Sequence, residues 1–223
     1  MVGKSIIVII SAYLLGAVPI GWLIVKVFKG KDVREVGSGR VGSTNVMRAA
    51  GFFAGFVTAV FDAGKGLLAG WISESILPGV PWVKVIAVSL SVIGQIYSIF
   101  LIEKTTDGKL FLRGGAGGST TFGGFLALSP SLWYLFIPLV GLVYFFIGYA
   151  SITTISIAFF SLIFLSYEFI IGTVPWQYIL FGVVALIVVI ITLRPNLIRL
   201  KQGNERVVGL RALLQKKSQS SQQ

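Results

Sequence analysis

The chain has 223 residues, of which 55% are hydrophobic and only 12% charged, and it carries a formal net charge of +11. A soluble domain carries roughly twice that charged fraction, and a disordered chain is polar, so both classes are excluded. With no Cys and no His, disulfide frameworks, thiol or imidazole catalysis and Cys/His zinc sites are excluded as well. The basic excess fits a nucleic-acid binder or a membrane protein with basic loops. The hydropathy selects the membrane, so no nucleic acid, metal or cofactor is expected.

In chain order, apolar stretches cover 5–28, 52–73, 81–102, 115–129, 131–150, 152–172 and 176–193. Six are near the ~20 residues that cross a bilayer as a helix. The fourth is short and rich in Gly, and reads as a short helix behind a loop or as a re-entrant segment. The first is too long for a signal-peptide core and is followed by further spans, so it reads as retained. With seven spans, the fifteen Lys and Arg of the loops after spans 1 and 3 and of the C-terminal segment fall on one side. Only Lys4 and Lys84 fall on the other. The positive-inside rule makes the basic side cytoplasmic. The expected fold is therefore all-α and polytopic, with about seven transmembrane helices, the N-terminus outside and the C-terminus cytoplasmic. Residues 1–205 form one membrane-embedded domain, and 206–223 form a basic cytoplasmic tail whose last part, Lys216 to Gln223, reads as disordered and in touch with anionic lipid.

Two cytoplasmic loops carry chemistry. The first, Gly37 to Arg48 (GSGRVGSTNVMR), interleaves glycines with Ser38, Ser43, Thr44 and Asn45 and with Arg40 and Arg48. Glycines let backbone amides converge on an anion. Hydroxyls and an amide add donors, and arginine adds a planar fork suited to phosphate. The following helix N-terminus adds positive potential. The competing reading is a Gly/Ser connector with incidental charges. The second loop, Arg113 to Thr121 (RGGAGGSTT), repeats the pattern at the start of span 4. There the competing reading is that Gly114, Gly115, Gly117 and Gly118 only permit close helix packing. Two such loops on one face suit a phosphorylated ligand. Neither has the spacing of a P-loop.

Within the spans, Asp62 and Lys65 share a helix face and can pair, as a site or as a structural ion pair. Gln95 either lines a site or bonds a neighbouring helix. Glu168 reads as an interfacial carboxylate at the outer end of span 6. Ser151, Thr153 and Thr154 at one cytoplasmic turn, and Asn196 after span 7, are further candidates, with helix capping as the plain alternative. Trp82, Trp133 and Trp176 mark span ends.

At these residues the chain resembles the bacterial acyl-phosphate:glycerol-3-phosphate acyltransferases, the PlsY-type membrane enzymes of phospholipid synthesis. The most specific similarity is Asp32 to Gly51. Tyr13 to Gly21, Asp62-x-x-Lys65-Gly66, Tyr149 to Ile152, and Arg194, Asn196, Arg199, Gly203 and Glu205 extend it over nearly the whole chain. Several family positions differ: Ala116 stands where a lysine is usual, Gln95 and Leu193 where histidines are, Gly148 where an arginine is and Arg40 where an asparagine is.

The resemblance implies a bacterial inner or plasma membrane protein with its site on the cytoplasmic face. It implies transfer of a fatty acyl group from acyl-phosphate to the 1-hydroxyl of glycerol 3-phosphate, giving lysophosphatidic acid. No cofactor is implied. The partners are the two substrates, membrane lipids and, at one remove, the soluble enzyme that makes acyl-phosphate. Ser38 and Asn45 are expected to serve catalysis. Arg40, Gly42, Thr44, Arg48, Arg113, Gly114, Gly115, Gly117, Ser151, Asn196 and Glu205 are expected to hold the phosphates, with Arg40 and Arg113 compensating for Ala116. The alternative is a relative without catalysis that binds or moves an anionic lipid or phosphorylated solute.

Overall fold

The computed structural model describes residues 1–104 and 107–220, with backbone alone over 216–220. Among the described residues, five helical stretches are long and apolar enough to cross a membrane: Val2–Lys29, Phe52–Ile76, Pro81–Leu101, Ala150–Ile170 and Gln177–Lys201. In helix labels, the first is α1 (Val2–Ala17) followed by α2 (Ile20–Lys29). A short α3 (Ser43–Ala50) precedes α4 (Phe52–Ile76), and α5 is Pro81–Ile96. Two shorter apolar helices follow, α6 (Gly118–Leu128) and α7 (Trp133–Leu142). The latter runs into a π turn over Val143–Ile147. Then come α8 (Ala150–Ile170), α9 (Gln177–Lys201) and α10 (Gly209–Ser220).

The two helices of the first span are separated by Pro19, which has no amide to continue the ladder. The break releases carbonyls inside the protein, and distant side chains satisfy them. Ser98 Oγ donates to the Ala17 carbonyl, and Lys65 Nζ donates to that of Val18, each at 2.5 Å. A buried ionisable residue of α4 thus completes the backbone of α1.

Apolar side chains gain nothing by leaving lipid for each other, so helices in a membrane associate through close packing at small residues. This chain uses glycine at each main contact. A Cβ on Gly16 of α1 would strike the Ser91 backbone of α5, and one on Gly123 of α6 would strike Ala63 of α4. One on Gly182 of α9 would strike Leu162 of α8. The main core joins α5 to α9 around Phe125, Phe136, Phe181, Leu165 and Leu193, all buried.

Two details are added to the expectations and one expectation is corrected. The basic loop after the third span forms an antiparallel hairpin, β1 (Ile102–Lys104) with β2 (Leu110–Leu112), with Glu103 opposite Phe111. Glu168 is buried, at 2% exposure, and accepts a hydrogen bond from Ser131. It sits near the C-terminal end of α8 as expected, and there it anchors the α6–α7 turn. Lys216 to Ser220 continue α10 as helix, contrary to the disorder expected there. Ser221 to Gln223, the rest of that expected tail, lie outside the described residues.

Candidate active site

A cavity of about 460 Å³ opens where the N-termini of three helices meet. Gly42 to Asn45 come from the start of α3, Ala116 to Thr120 from the start of α6, and Ala150, Ser151, Thr153 and Thr154 from the start of α8. The first-turn amides of a helix have no carbonyl partner within it and carry its positive end. Three such ends on one cavity favour anions. Local sequence sets each start. Gly51 (φ 92°) separates α3 from α4, and Gly117 (φ 83°) caps α6 in the left-handed region, packed so closely on Ile96 that a side chain would collide.

The first loop is shaped by Asn45, which is 2% exposed. Its Nδ2 donates to the carbonyls of Val33, Val36 and Arg40 at 3.0, 2.9 and 2.8 Å, and its Oδ1 accepts from the Ser38 amide at 3.0 Å. Every polar atom of the side chain is thereby committed to the loop. Asn45 is thus held as a positioning residue of the loop, with only the second lone pair of its buried Oδ1 uncommitted. Ser38 does line the cavity. Its Oγ accepts from the Arg40 amide at 3.4 Å, which leaves the hydroxyl proton free.

Arg40 crosses to α9. It donates to Asn196 Oδ1 at 2.5 Å and to the Thr192 carbonyl at 2.7 Å, in the helical turn that Pro195 interrupts. Asn196 Nδ2 in turn donates to Glu205 Oε1 at 2.7 Å, and Arg199 lies 3.3 Å from Glu205 Oε2. Arg40, Asn196 and Glu205 all line the cavity. Burial pulls the Arg40 guanidinium below the usual arginine range, with the Arg199 charge adding to the effect.

Arg48 also lines the cavity and forms no hydrogen bond or ion pair with the described residues. Burial lowers its pKa too, with Arg206 as the next contributor. An arginine remains charged regardless, so Arg48 is an exposed cation lining the cavity with its donor fork unused. The Ser151 hydroxyl, 2% exposed, is likewise without a partner, as is that of Thr120. Thr153 and Thr154 instead bond back to the carbonyls of Tyr149 and Ala150.

Arg113, Gly114 and Gly115, expected to hold phosphate, do not line the cavity, and their contacts lie behind it. Arg113 pairs with Glu103 at 2.6 Å. Glu103 also takes Arg34 at 2.8 Å, and Arg34 holds Asp32 at 2.6 Å. Hydrogen bonding from Arg34 keeps the Asp32 carboxyl well below the usual carboxylate range. This chain of charges clips the first loop to the hairpin. A Cβ on Gly114 would hit the carbonyls of Gln95 and Ile96, and one on Gly115 would lie 2.8 Å from Gln95 Nε2. These two glycines serve packing. Gly42, Thr44 and Gly117 do line the cavity.

The interior wall holds Asp62 and Gln95. Lys65 Nζ lies 2.7 Å from Asp62 Oδ1 and donates to Gln95 Oε1 at 2.5 Å, and Gln95 Nε2 donates to Asp62 Oδ2 at 2.9 Å. Lys65 and Gln95 thus bond between helices, and Asp62 and Gln95 also line the cavity. Sequence reasoning missed Thr192, whose contribution is a backbone carbonyl, and Arg206 and Tyr144, which bear no local signal of a site. A second, apolar chamber of about 250 Å³ adjoins the first and shares Ala59, Ser119, Ile137, Val140 and Ile157 with it.

Comparison with known proteins agrees with this geometry. Residues 6–203 match the family model described as glycerol-3-phosphate acyltransferase. A glycerol-3-phosphate acyltransferase 2 of Moorella thermoacetica is 33% identical over 93% of this chain and 99% of its own length. One of Thermus thermophilus is 34% identical over 92% of this chain and 95% of its own. Among solved structures, PlsY (YgiH) in its glycerol 3-phosphate form superposes with a TM-score of 0.80 at 30% identity, covering 94% of this chain and 98% of that one. Sequence, fold and a cavity lined by three helix N-termini inside a bundle of membrane helices thus converge, and the chain belongs to the glycerol-3-phosphate acyltransferase family.

Proposed function

We propose that this protein transfers a fatty acyl group from acyl-phosphate to the 1-hydroxyl of glycerol 3-phosphate, forming lysophosphatidic acid and phosphate. The observation that carries the reading is one cavity that joins three helix N-termini and an unpaired Arg48 to an apolar chamber. Phosphates suit the first part and an acyl chain suits the second. The acceptor is the one that relatives of the family are named for.

The hydroxyl oxygen of glycerol 3-phosphate attacks the acyl carbonyl carbon. The new ester C–O bond forms, the anhydride C–O bond breaks, and the electron pair leaves with phosphate. The hydroxyl proton passes to a phosphate oxygen, a base that the substrates themselves bring to a chain with no His. The Ser38 hydroxyl is placed to donate to the oxyanion of the tetrahedral intermediate. Arg48, Ser151 and the amides at the starts of α3 and α6 hold the two phosphates beside each other, which supplies rate through positioning. Arg40 works through Asn196 and Glu205 to fix α9 against the first loop.

The cavity lies on the cytoplasmic face of a bacterial membrane in this reading, with seven crossings. The asymmetry of Lys and Arg supports that. So does the Ser131–Glu168 bond, which sets the α6–α7 turn beside the end of α8 remote from the cavity. The soluble enzyme that makes acyl-phosphate would deliver it from that side. Purified protein given acyl-phosphate and labelled glycerol 3-phosphate should release labelled lysophosphatidic acid and an equal amount of phosphate. Binding of either substrate without product would instead support the non-catalytic alternative. The chain has no Cys, so single cysteines at Ser43 and Gly79 test the topology: they should label from opposite sides, and labelling from the same side would reject it.

A further inference from the structure

The residues after the matched region, 204–223, contain one more built element. From Arg206 onward the sequence holds Arg206, Arg211, Lys216 and Lys217 and no Asp or Glu. Within α10, Leu210, Leu213 and Leu214 fall on one face at helical spacing. Leu213 and Leu214 are 64% and 67% exposed. Basic positions flank that face at 211 and 216. Apolar residues on one side with cations beside them are the pattern of a helix that lies in a bilayer surface. The helix is also fixed in place. Val208 N donates to the Gly148 carbonyl, and Arg211 donates to the Tyr149 hydroxyl at 2.9 Å while lying over its ring. Gly209 sits so close to Tyr144 and Phe145 that any side chain would collide. Tyr144 and Phe145 belong to the π turn and line the cavity, as do Glu205 and Arg206 just ahead of the helix.

We propose that α10 binds the anionic phospholipid headgroups of the protein's own bilayer on the cavity side, and that through Gly209 and Arg211 this contact holds the π-turn wall of the cavity in place. Charge complementarity identifies the occupant: three cations on α10 (Arg211, Lys216 and Lys217) without an acid, beside exposed leucines, on a protein already embedded in that membrane. The effect on the cavity wall rests on the function proposed above, whereas the lipid contact does not.

The test uses full-length protein in vesicles of phosphatidylcholine, with and without phosphatidylglycerol. An environment-sensitive fluorophore on Leu214→Cys, the chain's only cysteine, reports burial without any activity measurement. Its emission should shift to the blue when phosphatidylglycerol is present, and raised salt should reverse the shift. Lys216→Gln with Lys217→Gln leaves the Arg211 contact intact and should shift the bound population by roughly 25-fold, at about fivefold per lysine near an anionic surface. A probe that stays wet, or one equally buried in both lipids and indifferent to the two lysines, overturns the lipid contact. Turnover of the unlabelled wild type should rise several-fold with phosphatidylglycerol and that of the double variant should not. A probe that responds while wild-type turnover stays flat overturns the coupling to the cavity.

Discussion

Asn45→Ala is the most direct test of how the first loop works. The side chain makes four hydrogen bonds, three donated to backbone carbonyls and one accepted from an amide, at 2.8 to 3.0 Å. A typical internal hydrogen bond contributes about 1 kcal/mol net, and more is lost where the orphaned group cannot reach water. Water can reach some of the partners, so the loss is roughly 2–3 kcal/mol of loop order, a population shift of roughly 30–150-fold. Lysophosphatidic acid formation should fall by a comparable factor in kcat/KM, and trypsin should cut more readily at Arg40. Asn45→Asp separates positioning from acid–base chemistry. A carboxylate in that place faces the carbonyls of Val33, Val36 and Arg40 with no donor, so it should be no better than alanine. An aspartate variant that matches or exceeds the wild type, or an alanine variant with normal kcat/KM, would refute the positioning role.

Further outcomes are expected at five other positions. Arg48→Ala should raise KM for a phosphate-bearing substrate by roughly 10–150-fold, as a charge-assisted contact is worth about 1.5–3 kcal/mol, and Arg48→Lys should restore only part because the fork is lost; steady-state kinetics with each substrate varied decides it. Arg40→Ala removes two donors that hold Asn196 and Thr192 and should cost at least about tenfold in kcat/KM. Ala116→Lys adds a cation to a cavity that already holds Arg40, Arg48 and Arg206 and should bring little gain; a large rescue with Arg40→Ala silent would reverse that assignment. Gly123→Ala forces α6 from α4 and should lower thermal stability by about 1–3 kcal/mol or more, while Gly64→Ala, with open space around its Cα, should leave the melting temperature of the detergent-purified protein unchanged.

Hydropathy and charge are sums over neighbouring residues, so the chain alone determined the membrane class, the approximate places of the long spans and the two glycine-rich loops. The donors of the first loop were legible for the same reason, since Ser38, Arg40, Gly42, Thr44 and Arg48 stand close together in sequence and all reach the cavity. Which donors remain available was not legible. Asn45 and Arg48 look alike as candidates, yet packing consumes every polar atom of one and leaves the other without a partner among the described residues. Arg113 points to Glu103 because a hairpin forms where the sequence shows only a basic loop. Arg40 meets Asn196 across 156 positions of chain, and Glu168 is buried by a turn between two other helices. Local composition says which groups a segment can offer. Only the docking of helices at Gly16, Gly123 and Gly182 decides which of those groups meet, because a contact between distant segments has no counterpart in the run of residues on either side of it.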